Sequence, residues 1–253
     1  QMGADVYGVA LAPNTEPNAF TALNVAQDCK QHHVLDIRDR AAVELVVRSI
    51  NPDIVFHMAA QPLVRLSYAE PLATYETNVM GTGNVLMSLR HAPKVKSVVV
   101  VTTDKCYENR EWHWGYREAD ALGGHDPYSS SKACAEILTA SFRRSFFAVS
   151  GLPPVGIASV RAGNVIGGGD WSADRLIPDL VRCMQTHDVL EIRSPHAIRP
   201  WQHVLSPLSG YIKLAQRLYE QPARWSEAYN FAPEDADCVP VQKLIELFGE
   251  AWG

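Results

Sequence analysis

A chain of 253 residues that is 47% hydrophobic and 20% charged has the composition of an ordinary globular protein and can bury a sizeable core. Its formal net charge of -5 gives no general electrostatic reason to bind nucleic acid or an anionic membrane. The lack of any run of about 18 apolar residues argues against a membrane span, and no charged segment followed by a hydrophobic stretch suggests a signal peptide, so a cytoplasmic location is expected. The five cysteines, at 29, 106, 134, 183 and 238, are odd in number and scattered, and among nine histidines only His32 and His33 adjoin. Neither a disulfide framework nor a metal site is expected from that spacing.

The first predicted strand covers residues 5–11, and a short second one at Val34 and Leu35 runs into Asp36, Ile37, Arg38 and Asp39. A helix starting at or near Asp39 follows through Val43, Val46 and Val47 and stops before Asn51-Pro52. Residues 54–58 read as a third strand, leading into the loop Ala59-Ala60-Gln61-Pro62, and a long helix is predicted around residues 75–89. Ser97–Val101 is a β-branched run of the kind found in buried parallel strands, and it ends in the polar sequence Thr102-Thr103-Asp104-Lys105.

Asp126 is a good N-cap and Pro127 suits the first position of the next helix. Apolar Ala133, Ile137, Leu138 and Ala140 predict its packed face, with Tyr128 and Lys132 directed elsewhere. A strand over residues 155–160 and a glycine-rich loop over 163–171 precede a helix over residues 176–186. The stretch Arg199-Pro200-Trp201-Gln202-His203, a strand at residues 228–231 and a helix from about Val241 complete the order. Strands alternating with helices imply a parallel sheet covered on both faces.

Tyr128 and Lys132 are four positions apart, which places phenol and ammonium on one side of a helix. A tyrosine can accept a proton near neutral pH only if a positive charge stabilises its phenolate, and Lys132 is the candidate for that charge. Ligands of open α/β sheets bind at the carboxyl ends of the strands, so Thr103, Asp104 and Lys105 are expected to face the same crevice as Tyr128. A turn residue followed by a solvated charge pair is the plainer alternative for these three.

With this strand, Thr103, Tyr128 and Lys132 in order, the chain resembles the extended short-chain dehydrogenase/reductase family over nearly its whole length. The segments FHMAAQPLVRLSYAEP (56–71), TNVMGTGNV (77–85), TTDKCYENREWHWGYRE (102–118), RAGNVIGGGDW (161–171) and HAIRPWQHV (196–204) carry a closer similarity to its nucleotide-sugar 4,6-dehydratases. The resemblance implies an α/β, Rossmann-like doubly wound parallel sheet over residues 1–162. Residues 163–253 would be mainly a substrate-binding region, C-terminally incomplete, with 203–231 returning to the sheet. The usual first strand and glycine-rich turn are not visible before Asp5, and Gly167-Gly168-Gly169 comes too late to replace them, so the chain is expected to start inside a longer protein.

NAD is the implied cofactor, held by Asp36 and Ile37 around the adenine, by Ala59, Ala60 and Gln61 along the dinucleotide, and by Tyr128 and Lys132 at the nicotinamide ribose. Asn78 would order this constellation. The implied chemistry oxidises carbon 4 of the sugar, eliminates water across carbons 5 and 6, and returns the hydride to carbon 6, a lyase step in the synthesis of deoxysugars such as those of O-antigen lipopolysaccharide. Asp104 is the expected acid at the departing hydroxyl. Lys105 is either the base near carbon 5, which requires a neutral amine, or a group that stabilises the enolate or positions Asp104. Arg175 and Arg199 are the expected cations for a nucleotide diphosphate, with Asn164 and His203 beside them, and a homodimer through the helices of Tyr75 and Tyr128 is implied. A nucleotide-sugar 4-epimerase shares the Tyr128 and Lys132 machinery but needs no acid for a leaving hydroxyl, and a non-catalytic dinucleotide-binding protein is the alternative of another class.

Overall fold

Four parallel strands carry the centre of the computed structural model, which describes residues 3–148 and 154–253. The strands are β3 (Ile54–His57), β4 (Ser97–Val101), β5 (Gly156–Ala162) and β8 (Ala228–Phe231), hydrogen-bonded in the order β3-β4-β5-β8. Side chains alternate along β4, so Val98 and Val100 join one buried cluster with Leu86, Leu89 and Ile157, while Val99 joins another with Ala158, Leu214 and Leu218. β1 (Tyr7–Ala10) and β2 (Gln31–Val34) pair with each other in parallel as a separate two-stranded sheet. The second strand therefore ends where residues 34 and 35 predicted its start.

Helix α1 (Arg40–Ile50) begins as expected, with the Asp39 side chain accepting from the Ala42 amide at 3.0 Å, and ends at Asn51 in the left-handed region. The predicted 75–89 helix is longer: Pro71–Tyr75, a π-helical stretch Glu76–Gly81 and Thr82–Leu89 run on as one element spanning 71–89. The predicted loop after β3 contains a further short helix, Val64–Ala69. The helix that carries Tyr128 spans Pro127–Phe142, and the Asp126 carboxylate accepts from both the Ser129 amide and the Ser129 hydroxyl.

The packed face of that helix is wider than the expected one: Ala133 is buried and Leu138 and Ala140 are half-buried, as the spacing predicts. Tyr128, Lys132, Ala135, Glu136 and Thr139 are buried, whereas Ile137 is exposed. Polar partners inside the protein, described below, account for the second buried face: a hydrogen-bonded network adds to the apolar stripe that periodicity suggests.

Beyond β5, the predicted loop contains β6 (Asn164–Ile166), which pairs in parallel with β7 (Ile198–His203), and β7 pairs antiparallel with β9 (Cys238–Pro240). A helix over Leu176–Thr186 and a last one over Val241–Trp252 stand where the sequence placed them. A sixteen-residue helix, Leu205–Glu220, was not anticipated. It packs on β4 and β5, where Gly156 lacks a Cβ that would lie 2.7 Å from the Leu218 carbonyl. No helix among the described residues is long and apolar enough to cross a membrane.

Candidate active site

The register of the sheet aligns Val101 with Val160, so the residues after them leave the sheet together at its carboxyl edge. Thr103 caps a short 3₁₀ turn over Asp104–Cys106, and its hydroxyl donates to Asp104 Oδ1 at 3.1 Å. Lys105 Nζ reaches the same oxygen at 3.5 Å. Asp104 Oδ2 lies beside Gly163, whose missing Cβ would come within 3.3 Å of it. Tyr128 is buried at the start of its helix, beside Thr103 and within the electrostatic reach of Asp104 and Arg175. The structure thus brings Thr103, Asp104, Lys105 and Tyr128 together.

The electrostatics depart from expectation in one respect. Burial raises the Tyr128 phenol above its ordinary pKa, and the groups that work the other way are the Thr103 hydroxyl and the Arg175 charge. Lys132 is buried in the same region, but its amine donates to the Val101 carbonyl at 3.0 Å, at the end of β4. Its own pKa falls to about 8 because burial outweighs the opposing effects of Glu136 and Cys106. In place of a direct contact with the Tyr128 phenol, the Lys132 ammonium is bonded to the exit of β4. Lys105 is the more exposed lysine and pairs with Asp104.

Asn78 joins the loop after β3 to the Tyr128 helix. Its Oδ1 accepts from the Gln61 amide at 2.8 Å, and its Nδ2 donates to the Gln61 carbonyl at 3.1 Å and to Ser131 Oγ at 2.9 Å. The π-helical stretch that contains Asn78 is a common device for aiming a functional side chain. Gln61 is further held by Thr74, and Ala59 and Ala60 stand half-buried before it. At the end of β2, the Asp36 carboxylate is held below the usual range by its hydrogen bond with Arg38, while Ile37 is buried against Gly81.

The four expected substrate residues do not form one cluster. Asn164 and Arg199 line a cleft of about 220 Å³ together with Arg193, Asp174, Asp179 and Trp201. Asn164 Oδ1 is buried there without a hydrogen-bond partner. Arg175 sits instead at the start of the Leu176–Thr186 helix, paired with Asp170 and facing Tyr128. His203 Nδ1 accepts from the Leu205 amide at 3.2 Å, so its ring closes the start of a helix that the sequence reading had missed.

Sequence reasoning also passed over a buried polar group behind the site. Glu136 accepts from Ser159 Oγ at 2.6 Å, from Arg161 at 2.8 Å and from Thr102 Oγ1. Arg161 donates in addition to the Tyr107 hydroxyl, which donates to Asn230 on β8. Glutamate one helical turn beyond Lys132, on the side that then proves buried, was the available signal. His57, at the end of β3, is pushed down to about 3 by burial and by the Lys132 charge, and its Nε2 lies 2.9 Å from Thr82 Oγ1.

A family model described as "NAD dependent epimerase/dehydratase family" matches residues 1–231. The CDP-glucose 4,6-dehydratase of Salmonella typhimurium is 51% identical over 255 aligned positions, which cover all of this chain and 71% of that protein. Among solved structures, a UDP-glucose 4-epimerase from Thermotoga maritima superposes with a TM-score of 0.82 at 20% identity, covering 98% of this chain and 75% of the epimerase. A double mutant of dTDP-glucose 4,6-dehydratase from Streptomyces venezuelae, solved with NAD bound, gives 0.79 at 22% identity, with coverage of 99% and 73%. At these identities the two structures establish the shared fold, an α/β parallel sheet of Rossmann type.

Proposed function

The chain belongs to the NAD dependent epimerase/dehydratase family, and we propose that it acts within it as a nucleotide-sugar 4,6-dehydratase on CDP-glucose. The observation that carries this reading is the placement of Asp104, anchored by Thr103 and Lys105, in the same crevice as Tyr128. Elimination needs an acid beside the departing hydroxyl, and a carboxyl group next to a catalytic tyrosine supplies one. The extensive identity with the Salmonella enzyme supports the choice of nucleotide-sugar.

The residues present fit NAD. An ammonium has three N–H donors, and the Val101 carbonyl takes one of Lys132's, which leaves donors for a pair of ribose hydroxyls at the carboxyl edge of the sheet. Small half-buried Ala59 and Ala60 flank the space before Gln61, and the Asp36 carboxylate stands at the end of β2. We assign Asp36, Ile37, Ala59, Ala60, Gln61, Asn78, Tyr128 and Lys132 to the cofactor. When bound, NAD accepts hydride from carbon 4 and gives it back to carbon 6.

Tyr128 takes the proton of the sugar 4-hydroxyl, with Thr103 orienting the phenol and Arg175 favouring its ionised form. Asp104 delivers a proton through Oδ2 to the leaving 6-hydroxyl. The proton of carbon 5 passes to Lys105 in its neutral form as the hydroxyl leaves, and the resulting ammonium stabilises enolate charge and orients the Asp104 carboxyl. The orphan acceptor Asn164 and the cation Arg199 meet the substrate in their shared cleft, and Arg175 binds at its diphosphate. In this reading residues 1–162 form the cofactor half and 163–253 mainly the substrate half, with 203–231 returning to the sheet.

We place the activity in the cytoplasm and in a homodimer, whose interface covers exposed Leu72, Met80 and Ile137 on the helices of Tyr75 and Tyr128. Incubating the purified protein with CDP-glucose, dTDP-glucose and UDP-glucose tests the assignment. A 4-keto-6-deoxy sugar formed fastest from CDP-glucose is the expected product. Conversion to a galactose isomer without loss of water would establish the epimerase reading instead.

A further inference from the structure

The Glu136 carboxylate is 3% exposed, and nothing in the reaction described above uses it. It lies one helical turn beyond Lys132 on the buried face of the helix. Its hydrogen bonds go to three places at once: Thr102 at the exit of β4, and Ser159 and Arg161 on β5. Thr102 follows Val101, whose carbonyl holds the Lys132 amine, and precedes Thr103, which stands beside Tyr128. One carboxylate therefore fixes the strand segment on which both catalytic side chains rest.

We propose that Glu136 is a positioning residue for Lys132, fixing the Tyr128 helix to the ends of β4 and β5 and supplying the buried countercharge for the Lys132 ammonium. The assignment rests on the reading of the site as a nicotinamide-dependent one, in which that ammonium must be charged.

The charged and titratable groups around the pair are few. From β3 comes His57, held neutral by burial, and from the turn after β4 come Asp104 and Cys106, the latter a thiol pushed up to about 12 by burial. Arg161 and Tyr107 face Glu136 from β5 and the Tyr107 loop, Arg143 lies further along the same helix, and Tyr128 lies a turn before Lys132. Among these, Glu136 is the first group that opposes the effect of burial on Lys132. Arg161, at 2.8 Å, and the hydroxyls of Ser159 and Thr102 keep Glu136 ionised against its own burial.

The test compares Glu136→Gln with Thr102→Val/Ser159→Ala, which removes two hydrogen bonds but keeps the charge. The first readout is thermal stability as a function of pH without substrate. Lys132 makes stability rise with pH from about 8 upward in the wild type. In Glu136→Gln the start of that rise is expected about one pH unit or more lower, and in the Thr102/Ser159 variant it stays in place. The second readout is the alkaline limb of kcat, which is expected to move the same way. Should Glu136→Gln fail to fold, Glu136→Gln/Arg161→Met removes the ion pair as a unit and is expected to show the same displacement. A pH profile of stability that superposes on the wild type, with kcat uniformly lower at every pH, would show that Glu136 is only a structural strut. Because the stability measurement uses no substrate, its failure overturns the role of Glu136, whereas wild-type inactivity toward nucleotide-sugars bears on the functional reading alone.

Discussion

Asn78 and Ser131, 53 positions apart, are joined by a hydrogen bond of 2.9 Å from the Asn78 amide to the serine hydroxyl. Through it the loop that follows β3 and the helix that carries Tyr128 and Lys132 are set against each other. The other side of the Asn78 amide grips the backbone of Gln61, so both walls of the proposed cofactor crevice depend on one side chain.

Replacing Asn78 by Ala leaves the Gln61 amide without its partner and takes from the buried Ser131 hydroxyl one of its two hydrogen bonds, the other being its donation to the Tyr128 carbonyl. The expected cost is about 1–3 kcal/mol of stability, the usual penalty for unsatisfied buried polar groups. Turnover is expected to fall by more than the unfolded fraction explains. Urea denaturation and steady-state kinetics on the same preparation check both parts.

Lys132 illustrates a group kept for function at the expense of stability. Its pKa falls from 10.5 to about 8 on folding. A depressed lysine pKa means that the unfolded chain binds more protons between those limits, so the penalty is complete below about pH 8 and fades as pH rises toward 10.5. The shift corresponds to roughly 3 kcal/mol, less the hydrogen bond to Val101, so Lys132→Met is expected to abolish turnover while raising stability by about 1–3 kcal/mol at pH 7. That gain is expected to shrink above pH 8, which denaturation at several pH values will measure.

Gly163 is required by close approach rather than by backbone conformation. A Cβ there would stand 2.4 Å from Pro200 Cγ and 3.3 Å from Asp104 Oδ2. Gly163→Ala is expected to cost about 1–3 kcal/mol through overpacking and to slow elimination by displacing the carboxyl. Comparison of kcat for the overall dehydration with the rate of the first oxidation separates the second effect from the first.

What the sequence made legible was local. The start of the Tyr128 helix is written in Asp126 and Pro127, and the crevice residues Thr103 and Asp104 follow a strand whose valines admit one reading. Glu136 and Arg161 were not legible as a pair, because 25 positions and two different elements separate them and their attraction exists only once the sheet has formed. The burial of Lys132 and Glu136 on the same helix was illegible for the same reason. The Leu205–Glu220 helix is a different case: Tyr211, Leu214, Ala215 and Leu218 have helical spacing and are all buried, but Pro207 and Gly210 in its first two turns mask the pattern. His203 could not be understood as the closure of a helix that had not been seen.

The central claim is that Tyr128 and Asp104 act on different halves of one reaction. The most direct measurement is a single-turnover experiment on CDP-glucose that follows reduced cofactor and 4-keto-6-deoxy product together, in Tyr128→Phe and in Asp104→Asn. Tyr128→Phe is expected to form neither, and Asp104→Asn to accumulate reduced cofactor and unreleased ketone while product appears slowly. Normal product formation by Asp104→Asn, or oxidation proceeding unimpaired in Tyr128→Phe, would contradict the assignment.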